Sequence, residues 1–515
     1  MNARHNVPLL YGFILLALIP RAVMADLQTG SLFTDHMVLQ RDLPVPVWGR
    51  ATPAAIVTVE FADQKKTAAV AADGKWMATL EAMPASVEPR TMTISSSAAD
   101  LAIACTDIVV GEVWICSGQS NMQLGVKAVP EVKALIPRAK NIRTFAVKRS
   151  VAFTEQDNCD GTWVERHPDS AVACGFAQSL QVAADVPVGI ILSCWGSTSI
   201  EAWMPRDMTE TVPHFKIMMD EFDANTEARR KISAALSGPR PWSRGEDVFM
   251  RRQSNIVYNA MMHPLAPYAC RGLVWYQGER NTQSMFGMIK SPWWARNSGM
   301  LRYGEVLQKW MQRYRQAWNR EDFHFLVVML PGYGGLAKTS PKALAGSPAA
   351  HSWAWMREAQ LKALDLAHAG VANSIDLGDV KNVHPRDKLP IGQRLALLAA
   401  RDTLGQQIEA QGPILRNIEP RGQALVVHFD HAAVLKTTDS KAPSAFWLAD
   451  DARQWVQANA KIEGNSVVLQ APDLSKPLYV RYAFVGKPAV NLVNAANLPA
   501  YPFRTDHFEP QQTKK

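Results

Sequence analysis

"DIVVGEVWICSGQSNMQ", Asp107 to Gln123, decides how the chain folds. Its first part, "DIVVGEVWIC", is a nearly unbroken apolar run, as expected of a strand buried on both faces. At Cys116 the run gives way to small and amide residues. A strand that stops there and turns sharply can lift a serine out of the core as a nucleophile. The same residues suit an ordinary strand-to-helix turn capped by Ser and Asn.

Working outward, apolar strand-like runs alternate with helix-like stretches from Asp107 to about Leu404. The runs are "FAV", "VPVGIILS", "RGLVWYQG" and "FHFLVVML". That alternation predicts a parallel sheet with helices on both faces. Before it, from about Leu27 to Thr106, short alternating runs such as "PVPVWG" and "AIVTVEFA" are split by turn formers, predicting a small β-sandwich. After about Gly412, "ALVVHFD", "NSVVLQA" and "LYVRYAF" predict a second β domain. Residues 206–250 read as an inserted charged helix or two. Residues 331–350, rich in Gly, Pro, Ala and Ser, read as a long loop of the kind that forms lids or rims.

The bulk numbers bound the class. At 515 residues the chain exceeds what one core usually supports. Hydrophobic content of 47% and charged content of 20% exclude a disordered protein. The net charge of +8 is spread along the chain, with no basic run that suggests nucleic acid. The start, "MNARHN" then "VPLLYGFILLALIP" then "AVMA", reads as a secretory signal cleaved after Ala25. Its apolar stretch is shorter than the roughly 20 residues a bilayer needs. The mature chain is therefore expected to be soluble, periplasmic or secreted, and free of the membrane.

Six cysteines (Cys105, Cys116, Cys159, Cys174, Cys194, Cys270) show no CxxC pair and no zinc pattern. Cys116, Cys194 and Cys270 are expected as buried thiols, and a Cys159–Cys174 bridge is an open possibility.

Four stretches fall at or after strand ends, where an open α/β sheet holds its ligand crevice. They are "CSGQSNM", "SCWGSTSIEAWM", "WYQGERN" and "DVKNVHPRDK". Together they offer a serine, a glycine turn, an amide with a carboxylate, and a histidine, the inventory that acyl transfer by serine needs. No nucleotide-binding glycine loop or HExxH cluster is present, and neither cofactor nor metal is expected.

The motifs "GQSNM", "NAMMHPLAPYACRGLVWYQGERN", "WAWMREAQ", "VHPRDKLPIGQRLALLA" and "NLVNAANLPAYPFRTD" closely resemble the sialate O-acetylesterase family of SGNH-type carbohydrate esterases. The likeness runs from about Leu32 to Asp506. It implies an α/β fold: a flavodoxin-like three-layer SGNH hydrolase domain at 107–411, flanked by β-sandwich-like domains at 26–106 and 412–515. It implies removal of O-acetyl groups from sugars, 9-O-acetyl sialic acid foremost. Acetylated xylan or another polysaccharide is the alternative substrate. A carbohydrate-binding protein with a decayed esterase site is the remaining reading. Oligomeric state is left open.

Carried over residue by residue, the resemblance makes Ser120 the nucleophile, ahead of Ser117, and His384 the base. His263 also precedes a proline but is read as structural. The oxyanion donors implied are the N–H groups of Ser120 and Gly196 and the side-chain amide of Gln277. The aspartate that relatives often carry shortly before the histidine is absent, since Lys381 and Asn382 stand there. Glu279 is then the leading carboxylate, with Asn382, Asp379 and Asp387 as alternatives. Arg280 departs from the commoner "QGES". It either pairs with Glu279, reaches a substrate carboxylate, or has a structural place. Trp195 and Asn281 join Arg280 as candidate substrate contacts. Trp203 and Trp275 are further candidates for sugar stacking, and the helix around Arg357 and Glu358 is expected to buttress the domain.

Overall fold

The quoted stretch forms one long strand, β1 (Ile103–Gly118), of 16 residues, roughly 50 Å at about 3.3 Å per residue. The computed structural model describes residues 27–138, 140–287, 297–334, 348–349 and 352–510. The expected signal peptide and most of the 331–350 loop lie outside the described residues.

β1 serves two sheets at once. Its first half pairs with Ser86–Ser96 and Val38–Gln40. Its second half, Glu112 to Gly118, pairs in parallel with β3 (Val188–Cys194) and, from Trp114 on, with β4 (Gly272–Tyr276). The boundary expected between 106 and 107 therefore falls inside a continuous strand. β2 (Ile142–Ala146), β5 (His324–Val328) and β6 (Ala369–Ala372) complete the parallel part, in the order β2-β3-β1-β4-β5-β6. Trp163–Val164 adds an antiparallel edge beyond β2. The architecture is mixed α/β, a central mixed sheet with further β-sheets before and after it.

Helices cover both faces. On one, α1 (Ala171–Ala184) packs along the later helix Leu389–Leu404, and Trp114 of β1 meets Phe176 edge-on. The approach is close enough that a Cβ on Gly392 would lie 2.6 Å from the Phe176 nitrogen, so glycine is required. On the other face, Trp275 of β4 packs on Trp310 of α2 (Gly299–Trp318), which α3 (Ala354–Leu361) flanks.

Before β1, Val45–Arg50 and Lys75–Leu80 form an antiparallel pair. After Leu404, two four-stranded sheets are built around Ala424–Asp430 and Tyr479–Tyr482. The insert is three α-helices, Pro213–Ala224, Thr226–Ser237 and Arg244–Arg251, the last opened by a Ser243/Glu246 capping box.

All six cysteines are free, and no Cys159–Cys174 bridge forms. Cys174 is buried in α1 against Val126, Val129 and Val132, while the Cys159 thiol meets the Ser31 hydroxyl. No described helix is long and apolar enough to cross a membrane.

Candidate active site

Gly118 ends β1 at φ 137°, and a Cβ there would come 2.1 Å from the Tyr276 carbonyl oxygen. Only glycine lets the two strand ends approach this closely. The chain then turns into a short helix, Ser120–Gln123, which carries Ser120 just beyond the carboxyl end of β1. Ser117 is fully buried, its hydroxyl without a partner among the described residues.

The loop after β6 brings His384 to the serine. Its Nε2 lies 2.8 Å from Ser120 Oγ, close enough for the hydroxyl to donate to a neutral imidazole. Burial, and then the nearby Lys388 charge, hold the His384 pKa below its ordinary value, which favours that neutral form. His384 Nδ1 has no hydrogen-bond partner among the described residues.

Asn382 does not orient the ring. Its Oδ1 accepts from the His384 backbone N–H at 2.9 Å, and it shapes the loop instead. Asp379 accepts from the Lys381 and Asn382 N–H groups, and Asp387 from the Gly378 N–H. Asn382 and Asp379 are turn-formers of the Asx kind, bonding N–H groups two or three residues on, whereas Asp387 ties back to Gly378, nine residues earlier.

Glu279 is buried, and one carboxylate oxygen accepts from Asn121 Nδ2 at 2.5 Å. Its other oxygen has no partner among the described residues. Burial raises its pKa, partly offset by the Asn121 bond. Asn121 also donates to the Val383 carbonyl and accepts from Lys388 Nζ. Burial pulls the Lys388 pKa down to about 8. Asn121 and Lys388 were missed in the sequence, although both stand inside quoted motifs. Their only sequence signal is position, one residue after the serine and four after the histidine.

Gly196 stands against the nucleophile: a Cβ there would lie 3.3 Å from Ser120 Cβ. Its φ is not positive, so this close approach, rather than the backbone conformation, is what disfavours a larger residue. Its N–H donates to Gln123 Oε1 at 2.9 Å, whereas the Ser120 N–H has no acceptor among the described residues. Gln277 is not available as an oxyanion donor. Its amide nitrogen donates to Gln119 Oε1, the Thr198 carbonyl and Asn281 Oδ1, and Tyr303 donates to its oxygen. It knots three strand-end loops together, fully buried.

The expected substrate contacts are likewise interior. Asn281 is wholly buried against Glu201 and Ser298. Trp195 is stacked under Trp242 of the insert, and its indole N–H donates to Asp247. The Arg240 guanidinium stacks on the Trp242 ring at 3.4 Å. Trp203 and Trp275 are fully buried, donating to Thr198 and Tyr303. Arg280 is buried and bonded to Gln283, with no ion pair to a described carboxylate. Burial, then Arg252, pull its pKa down to about 10. His263 lies apart from the site, bonded to the Gln156 carbonyl and beside Glu155. Among the described residues Arg357 donates to backbone carbonyls, those of Leu330, Pro331, Val485 and Gly486, and braces the fold. No cluster of metal-ligating side chains occurs among the described residues.

A serine hydroxyl on a neutral histidine, at the open end of the sheet, is the arrangement of a carboxylic ester hydrolase. Residues 110–267 match the family described as carbohydrate esterase, sialic acid-specific acetylesterase. The chain resembles the sialic acid-specific carbohydrate esterases. It is 26% identical to the sialate O-acetylesterase of Mus musculus, across 96% of this chain and 97% of that protein. With the Homo sapiens sialate O-acetylesterase it shares 24%, across 93% and 92%. Among solved structures it is similar to a carbohydrate acetylesterase of Xanthomonas citri, at 27% identity and TM-score 0.76, covering 93% of this chain and all of that one. These matches cover 93–96% of the chain.

Proposed function

We propose that the chain is a serine esterase that removes O-acetyl groups from sugars, with acetylated sialic acid as its substrate. The 2.8 Å contact between His384 Nε2 and Ser120 Oγ carries this reading. In the reaction, Ser120 Oγ attacks the acetyl carbonyl while His384 Nε2 takes its proton. The alkoxide of the sugar leaves with that proton returned, and an acetyl-serine remains. Water, deprotonated by the same nitrogen, then releases acetate. The Ser120 N–H is open to the oxyanion. The Gly196 N–H joins it when the carbonyl displaces the Gln123 side chain.

Glu279 is the carboxylate we assign to the site. Its link to the catalytic pair runs through Asn121, which donates both to it and to the Val383 carbonyl. The order β3-β1-β4-β5-β6 supports a flavodoxin-like sheet, with β2 as an added edge. Residues 26–106 and 412–515 are then its β flanks. The apolar N-terminal stretch supports an exported, periplasmic or secreted protein.

Acetylated xylan is the second reading, in keeping with the likeness to a carbohydrate acetylesterase that is not tied to sialic acid. Acetate release from 9-O-acetyl sialic acid and from acetylated xylan separates the two. A rate on the sialic acid at least tenfold higher supports the first, and the reverse order supports the second. Glycan binding with no acetate release from either would favour a decayed site.

A further inference from the structure

The sequence offers no aspartate beside His384, and the structure shows no partner on His384 Nδ1 among the described residues. Besides the local Asn382 bond, a buried chain of three side chains reaches the base's loop. Lys388 Nζ donates to Asn121 Oδ1 at 2.8 Å. Asn121 Nδ2 donates to Glu279 Oε1 at 2.5 Å and to the Val383 carbonyl at 3.0 Å. Lys388 is 0% exposed, Asn121 1% and Glu279 8%.

An ammonium can only donate and an ionised carboxylate can only accept, so their positions admit one orientation of the Asn121 amide. That orientation leaves an N–H for the carbonyl of the residue just before His384. The backbone of Asn121 follows Ser120, so one side chain fixes the base's loop against the nucleophile's own turn.

We infer that Lys388 is a positioning residue for the Ser120–His384 pair, acting through Asn121 as the cationic end of this buried chain. The inference rests on the esterase reading. It assigns Lys388 two effects. Its hydrogen bond orients Asn121, and through it Val383 and His384. Its charge lies close enough to His384 to disfavour imidazolium.

The charged and titratable groups around this pair are few. Glu279 and Asp387 act on Lys388, and the Tyr276 ring lies 5.3 Å from its nitrogen. Asp379 is occupied by backbone N–H groups of its own loop.

The test is the pH dependence of kcat/KM with p-nitrophenyl acetate for full-length wild type, Lys388→Met and Lys388→Gln. Exposed Lys381→Met serves as a control, and thermal melting checks folding. Lys388→Met, losing bond and charge, is expected to lower kcat at least tenfold and to move the acid limb up by roughly one pH unit. Lys388→Gln keeps a donor for Asn121 without the charge. It should keep most of kcat yet show the same displaced limb, and it carries the test should the Met variant fail to fold. Lys381→Met should match wild type.

A merely structural lysine would lower the melting temperature and leave the acid limb where it was. That result in either folded variant overturns the inference. Equal rates in wild type and Ser120→Ala would instead overturn the esterase reading on which it rests.

Discussion

At the scale of single residues, the protonation of His384 decides the rate. Only the neutral imidazole accepts the Ser120 proton, and both burial and Lys388 disfavour the charged form. The folded pKa lies below the ordinary 6.5, so the rate should be flat above that pH. It should fall as pH drops through the lowered value, with an acid limb of kcat/KM below pH 6.5. A limb above 6.5 would mean that an unseen anion or a different base governs the step. Ser120 and His384 were legible through the family resemblance of the motifs that carry them, and the structure brings the two side chains together. Gln277 and Asn281 were legible as residues of the site but not in their role. Amides can either face a ligand or tie loops together, and the choice depends on partners such as Thr198 and Glu201 from another loop.

Among the elements, the turn after β1 and the loop carrying Gly196 set the space in front of the nucleophile. Gly196→Ala would place a methyl 3.3 Å from Ser120 Cβ and Gln123 Oε1, tighter than ordinary contact. Displacing Ser120 by a few tenths of an ångström should cut kcat roughly 10- to 100-fold with little change in melting temperature. Unaltered kcat would mean that the loop yields freely. The insert acts at this scale too. Its Trp242 and Asp247 cover Trp195, which turned a tryptophan expected at a sugar into an interior one. Nothing in the "CWGS" motif signals that cover, because it comes from some 45 residues downstream.

Across the whole molecule, β1 joins the N-terminal sheets to the catalytic sheet, and a buried carboxylate pins the junction. Glu112, fully buried mid-strand, accepts from Arg41 of the N-terminal part and from Arg271 just before β4. Glu112→Ala would strip the partly buried Arg271 of its carboxylate and leave Arg41 only Asp42, at a cost of roughly 2–3 kcal/mol. The urea midpoint should fall accordingly, while an unchanged midpoint would show that the junction does not depend on it. The order of β and α/β regions was legible from periodicity. The continuity of β1 across the expected boundary was not, since strand pairing is chosen by partners far along the chain. The account as a whole stands on Ser120 as the nucleophile that His384 activates. Its most direct test is kcat/KM for p-nitrophenyl acetate in wild type and Ser120→Ala. A loss of roughly 10³-fold or more in a variant that melts like wild type is the predicted result. Comparable rates in the two proteins would contradict it.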